Sequence, residues 1–394
     1  MGLPGALAAA AARLPGLSLV PPPVLPGASL EPLVFPDLDG WRADDHRAAF
    51  ATFLASCAAL RAPPREVGPI DAPTLREGLR QACANATRLG TAEPSDLVAR
   101  LFFEVNFAPW RVVPDKGGAG FFTGYYEPEV AGALTPGGGF DVPVYRRPDD
   151  LVMSGGGPTP NSGPVQRRDA DGRMVPYFDR AAIEDGALAG RGLEVAWLKD
   201  PIDLFFMQIQ GSARVRLPDG RVLRLNYDGY NGHPYLPVAR LLIQRGLVPR
   251  EEMSMARIRA FMEQDPQAGR ALRRENRSYV FFKALDLGAG DGAMGAQGVS
   301  LTAGRSMAVD RRIHTYGVPV FVEADLPLSA PGAADPFRRL MIAQDTGSAI
   351  VGPARADLYF GAGDEAGAVA GRIRHPGRFI LLVPRLARIA PGAP

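Results

Sequence analysis

Residues 344–367 read QDTGSAIVGPARADLYFGAGDEAG. Short β-prone pieces alternate with turns built on Gly and Asp. Four acids, Asp345, Asp357, Asp364 and Glu365, fall on those turns. Asp and Gly are turn formers in their own right, and each acid can be read as capping a turn. Carboxylates at strand ends in a barrel are also well placed for acid/base work. Working outward, the chain from Tyr279 to Arg385 is a series of short strand-like segments: YVFFKAL, VSLTAGRSMAVD, VPVFVEADLP, FRRLMIAQDTG, ADLYFGAG and RFILLVPR. Many short strands at regular spacing predict a closed barrel.

Upstream, LFFMQIQGSARVRL (204–217) and RVLRLNYDGYNG (221–232) alternate on both sides of a Pro-Asp-Gly turn, which predicts a hairpin. That reading puts Gln208 and Gln210 on one face of a strand. Helical patterns occupy about 42–62 and 73–88, with Asp44 or Asp45 as a cap, then SDLVARLFFEVNF, a short helix after Asp179, and most of 235–275. Residues 131–175 are loop-rich, with glycine triplets at 137–139 and 155–157. Residues 1–35 read as a weakly packed leader and polyproline-like linker. No Lys or Arg precedes its apolar part and no Cys follows, so neither a secretory signal nor a lipid-bearing Cys is read there.

Composition narrows the possibilities. The 394 residues suggest two or three domains. At 46% hydrophobic and 22% charged, the chain matches a globular protein. The net charge of +2 gives no reason to expect nucleic acid. No run of about 18 apolar residues predicts a membrane-spanning helix. The 46 Gly and 38 Pro favour many turns. Lys occurs only at 116, 199 and 283, and the Arg excess is read as a genome bias. His46, His233, His314 and His375 lack metal-ligand spacing, so neither metal nor cofactor is expected. Gly290, Gly292 and Gly295 fit G-x-G-x-x-G, but no helix follows and a loop is read instead. No nucleophile elbow or P-loop is present. Cys57 and Cys83 lie on successive helices, either as a disulfide or as two buried thiols.

Three segments add to the acidic stretch: FTGYYEP (122–128), FMQIQGS (206–212) and NYDGYNGHPY (226–235). Aromatic faces and side-chain amides are what a carbohydrate groove offers, although barrel-filling Tyr and turn-forming Asn explain each segment separately. The candidate substrate-binding set is Thr123, Tyr125, Tyr126, Gln208, Gln210, Ser212, Tyr230 and Asn231.

Together, FTGYYEP, the FMQIQGSARVRLPDG hairpin, DGYNG, the run from GAQG through LTAGRSMAVDRRIHTYGVPVFV, and QDTGSAIVGPARADLYFGAGDEAG resemble the membrane-bound lytic murein transglycosylase A family. The motifs span about residues 100–385. The resemblance implies a mainly β fold: a six-stranded double-psi barrel from 36–127 and 284–394, carrying N-terminal helices, with a second β domain inserted at 128–283. The implied reaction cleaves the β-1,4 bond between N-acetylmuramic acid and N-acetylglucosamine in peptidoglycan, leaving 1,6-anhydromuramic acid, with the glycan held between the domains. Asp357 is the implied acid/base, Asp345 a supporting acid and Asp364 a further candidate. A periplasmic monomer is expected, facing peptidoglycan, with outer-membrane association and partners in wall synthesis or lysis left open. Two other readings stand beside this one. One is a hydrolase in which Asp345 serves as base for water. The other is a non-catalytic, expansin-like wall-binding module.

Overall fold

The computed structural model describes residues 17–19, 22–62, 72–89, 94–153, 165–288 and 290–387. The glycine triplet at 155–157, Ala289 and most of the N-terminal leader lie outside the described residues. Backbone contacts divide the chain into two compact units. The first is Met1–Gly124, Met294–Phe360 and Ile373–Pro394; the second is Tyr125–Ala293 with Gly361–Arg372. The second unit therefore begins three residues before the expected boundary, ends ten residues after it, and also takes in 361–372.

In the first unit six strands close on themselves. Around the ring run Gly120–Glu127, Arg355–Ala362, Ser306–Val309, Asp335–Asp345, Pro319–Leu326 and Arg374–Ala387, which returns to Gly120–Glu127. Ser306–Val309 is parallel to Asp335–Asp345 and antiparallel to Arg355–Ala362. Closure leaves no free edge within the ring. Strand Pro319–Leu326 is buried on both faces, which is why VPVFVEADL reads as an apolar run rather than an alternation. Phe107–Pro114 and Ala28–Pro32 extend the sheet beyond Arg374–Ala387, and Leu17–Leu19 pairs with Arg385–Ala387. Residues 28–32 and 17–19 are thus paired strands, not the weakly packed leader expected: their backbone groups complete edges that would otherwise stay unpaired.

Three helices pack beside the barrel. His46–Arg61 is capped by Asp45, whose side chain accepts from Ala48 N. Ala72–Arg88 follows, tied to it by a Cys57–Cys83 disulfide. Asp96–Asn106 is capped by Ser95. Phe50, Phe53, Phe102, Phe103 and Phe107 interlock between these elements, mostly edge-to-face.

The second unit holds a six-stranded sheet in the order Val280–Leu285, Val222–Tyr230, Ser212–Arg216, Glu129–Ala133, Glu194–Leu198, Val142–Tyr145, together with a small three-stranded sheet. The predicted hairpin is present only from Ser212 onward. Residues Pro201–Gln210 form an α-helix, so Gln208 and Gln210 do not share a strand face. Asp200 caps this helix, Pro201 occupies its first position, and Gly211 ends it at φ +82°. These start and stop signals override the local alternation of FMQIQ. The side chains of Phe205 and Met207 are fully buried, as a helix in the core requires.

Candidate active site

Asp357 lies on strand Arg355–Ala362, half-buried, opposite Ala308 of the neighbouring strand. Thr123, from Gly120–Glu127 on its other side, donates its hydroxyl proton to Asp357 Oδ1. Arg355 Nη2 donates in turn to Thr123 Oγ1 at 2.7 Å. Its Nη1 is held by Ala356 O, and the guanidinium lies 5.5 Å from the centre of the Phe121 ring. Burial pushes the Asp357 carboxyl above its ordinary range, against the opposing pull of the Arg355 charge and the Thr123 hydroxyl. Among the described residues only Oδ1 is hydrogen-bonded, which leaves Oδ2 for a ligand.

Asp345 ends strand Asp335–Asp345, and the register sets it against the far side of Ala308. The two aspartates therefore sit at one level with a small residue between them, their backbones roughly two strand spacings, about 10 Å, apart. Asp345 Oδ1 accepts from Ala296 N at 2.9 Å. Its neighbour Gln344 is wholly buried. Gln344 donates to Thr52 O (2.9 Å) and Ser56 Oγ (2.8 Å), and accepts from Ser306 Oγ (2.5 Å). Ser56 Oγ donates a hydrogen bond to Gln297 Oε1 at 2.9 Å. This network ties helix His46–Arg61 to the strand end carrying Asp345.

The loop between the two aspartates is held from one segment, 310–314. Gly352 N donates to Asp310 Oδ2 at 3.0 Å, and Arg312 grips both Asp310 oxygens. Burial alone would raise the Asp310 carboxyl, but these donors outweigh it and hold it below the ordinary value. His314 Nε2 donates to Pro353 O at 2.7 Å, and its ring stacks on Phe379. Burial lowers its pKa to about 4, so the imidazole is neutral. No motif or spacing pointed to these roles for Gln344, Asp310 and His314. For Arg355 a signal was available: two residues before Asp357 on a strand, it shares that residue's face.

In the second unit, Gln210 Oε1 accepts from Tyr126 N at 3.1 Å, which brings FTGYYEP and the end of helix Pro201–Gln210 together. The Tyr126 ring lies against Gly367 on helix Gly363–Ala370, where a Cβ would come within 2.7 Å of the ring. Burial raises the Tyr126 phenol; Arg259 opposes this, and Asp364 and Asp203 add to it, so it is kept as a hydrogen-bond donor. Asp364 lies in the first turn of that helix. Tyr125 is buried. Two residues further on, Glu127, the acid of FTGYYEP, is buried and accepts from Arg214 (2.8 Å) and Arg224 (3.0 Å). Arg224 also holds Gly288 O and Gly292 O.

The remaining residues read as sugar contacts belong to the packing. Gln208 is turned inward and donates to Val280 O at 3.0 Å. Ser212 is buried opposite Asn226, and Tyr230 sits in an apolar cluster with Tyr177, Tyr279 and Phe281. Asn231 is 1% exposed, and its amide is saturated. It donates to Phe178 O and Arg277 O, both at 2.9 Å, and accepts from Tyr279 N (2.9 Å) and His233 N (3.4 Å). Two donors and two acceptor sites are all that a carboxamide has. Among the described residues no cluster of three or more His, Cys, Asp or Glu could hold a metal.

A closed six-stranded β-barrel that carries Asp357 on one of its strands, together with a second unit built mainly from one inserted stretch of chain, is the architecture to be compared with known proteins. Residues 305–383 match the 3D domain family and residues 121–283 the MltA specific insert domain. The chain is 36% identical over 268 residues to the membrane-bound lytic murein transglycosylase A of Vibrio cholerae, 67% of this chain and 65% of that protein, so it spans just under two thirds of that relative. The crystal structure of a membrane-bound lytic murein transglycosylase from Agrobacterium tumefaciens is 38% identical, with TM-score 0.80 over 90% of this chain and 98% of that one. The Escherichia coli MltA structure with bound chitohexaose is 28% identical, with TM-score 0.61 over 93% and 94%. The chain belongs to the membrane-bound lytic murein transglycosylase A family.

Proposed function

We propose that this chain is a lytic transglycosylase. It cleaves the β-1,4 bond between N-acetylmuramic acid and N-acetylglucosamine and leaves 1,6-anhydromuramic acid ends, with Asp357 as its single acid/base. The observation that carries this reading is the state of Asp357: a half-buried carboxyl, raised by burial, with one oxygen held by Thr123 and the other open. An acid that must protonate a leaving oxygen near neutral pH needs such a lift. The names of the relatives, and the chitohexaose in the Escherichia coli structure, support a glycan as substrate.

The proposed step begins with Asp357 giving its proton to the glycosidic oxygen as the bond from C1 breaks. The resulting carboxylate takes the proton of the muramic acid C6 hydroxyl as that oxygen bonds to C1. The carboxyl is regenerated, and neither water nor a second nucleophilic carboxylate is consumed, unlike in two-carboxylate hydrolases. Asp345, across Ala308, supplies negative charge that favours the oxocarbenium-like transition state. Tyr125, Tyr126, Gln210 and Asp364 are proposed as glycan contacts or their supports in the second unit. We place the protein in the cell envelope, facing peptidoglycan in the periplasm as a monomer. No described helix is long and apolar enough to cross a membrane. Partners in wall synthesis or lysis belong to the same reading.

Digestion of purified sacculi, with products read by mass spectrometry, tests this function. Products with anhydro ends, lighter than hydrolysed ends by one water, are expected. Reducing ends would make water the nucleophile and Asp345 its base. Protein retained on sacculi without soluble product would favour a binding module.

A further inference from the structure

We propose that Arg355 is a positioning residue which, acting through Thr123, fixes the carboxyl oxygen of Asp357 that carries the transferable proton. This rests on the acid/base role given to Asp357 above.

The argument is one of hydrogen-bond valence. Arg355 and Asp357 are two residues apart on one strand and share a face, and Thr123 comes from the adjacent strand. A guanidinium has donors only, whereas a hydroxyl has one proton and two lone pairs. Arg355 Nη2 occupies one lone pair of Thr123 Oγ1 at 2.7 Å, and its positive charge disfavours a second donor on that oxygen, so the hydroxyl proton is turned to Asp357 Oδ1. Oδ1 can only accept, so the proton that Asp357 donates to substrate sits on Oδ2. Without Arg355 the hydroxyl is free to turn and accept from a proton on Oδ1, and the acid is divided between a productive and an unproductive form. Burial lowers the Arg355 pKa and the Asp357 charge opposes this, but a guanidinium stays charged across the range of the assay, so this lock does not titrate there. The guanidinium is fixed by Ala356 O and the Phe121 ring.

The groups facing Asp357 are few. Arg355 is on its own strand. The flanking strands present Thr123 and Ala308, neither titratable. One strand further on each side lie Arg374, opposite Thr123, and Asp345, opposite Ala308. Removing Arg355 therefore takes away the nearest positive charge and raises the pH at which Asp357 loses its proton.

The test is the pH dependence of anhydromuropeptide release from sacculi, from about pH 4 to about pH 8, for Arg355→Gln, Arg355→Lys, Thr123→Val and the double variant Arg355→Gln/Thr123→Val. Thermal unfolding is recorded for each. Arg355→Gln is expected to lower the plateau rate about tenfold and to move the basic limb to higher pH. Arg355→Lys, which keeps a donor and the charge, should hold the limb in place and recover part of the plateau. Once Thr123 is Val, Arg355→Gln should lower the plateau no further, because the two act in series. Unchanged plateau and limb in Arg355→Gln, or independent effects in the double variant, would overturn the inference. If Arg355→Gln fails to fold, Arg355→Lys against Thr123→Val still decides it: equal plateaus near wild type refute the relay. Asp357→Asn is the control for the underlying reading. Turnover by that variant would sink the acid/base role itself, whereas an inactive Asp357→Asn beside a wild-type-like Arg355→Gln would sink the relay alone.

Discussion

Replacing Asn231 by Ala separates two accounts of the DGYNG motif. The Asn231 amide satisfies Phe178 O, Arg277 O and Tyr279 N at 2.9 Å each, and reaches His233 N at 3.4 Å. Ala removes all of these partners at a site that is 1% exposed. A buried polar group left without a partner costs about 1–3 kcal/mol. With three close bonds lost and some relief from water entering the vacated space, the destabilisation is about 4 kcal/mol. For a unit of this size that lowers Tm by about 10 °C. Scanning calorimetry measures the shift, and binding to isolated glycan strands well below the transition measures the other outcome. The structural account expects a large fall in Tm with near-native glycan affinity in the remaining folded protein. An unchanged Tm together with weakened glycan binding would refute it and return Asn231 to the sugar-contact set.

Three further outcomes follow from the packing. Gly367→Ala should lower thermal stability, because its Cβ would meet the Tyr126 ring at 2.7 Å and this outweighs the roughly 1 kcal/mol that Ala gains over Gly within a helix; in a Tyr126→Ala background the same change should stabilise. His314 has a folded pKa of about 4 against an ordinary 6.5, so the folded state favours the neutral ring. Its contribution is complete above pH 6.5 and is lost as pH falls towards 4, by about 3 kcal/mol; denaturant titrations should show this slope, and His314→Gln should flatten it. The Cys57–Cys83 bridge closes a loop with a sequence separation of 26, and the double Ser variant should lose about 3 kcal/mol of stability, read by urea unfolding.

The barrel was legible because its strands are short and separated by Gly and Asp turns, and the Pro-Asp-Gly hairpin because Gly220 adopts φ +86° where the turn needs it. Helix Pro201–Gln210 was misread because FFMQIQ alternates as a strand would. The competing signals, Asp200-Pro201 before it and Gly211 after it, were in the sequence and carry more weight than five alternating side chains. In the site, Asp357 and Asp345 were candidates from motif resemblance and Thr123 was read as a sugar contact in FTGYYEP; the structure sets Thr123 on Asp357, and the register brings the two aspartates level across Ala308. Gln208 and Asn231 looked like sugar amides because a carboxamide's chemistry is the same whether its partner is a hydroxyl or a backbone carbonyl; burial alone distinguishes the two. Gln344, Asp310 and His314 act on residues brought close only by folding, which no spacing rule reveals. The leader strands 17–19 and 28–32 have little periodicity of their own, and their pairing comes from open edges supplied by residues far along the chain.

The most direct test of the central claim is the activity of Asp357→Asn on sacculi, measured beside its binding to glycan strands. Asn keeps an acceptor for the Thr123 hydroxyl and nearly the same shape, but it can neither give nor take the proton. The account predicts a loss of turnover of about a thousandfold or more, with binding and thermal stability close to wild type. Turnover within about tenfold of wild type would contradict Asp357 as the acid/base and with it the proposed mechanism.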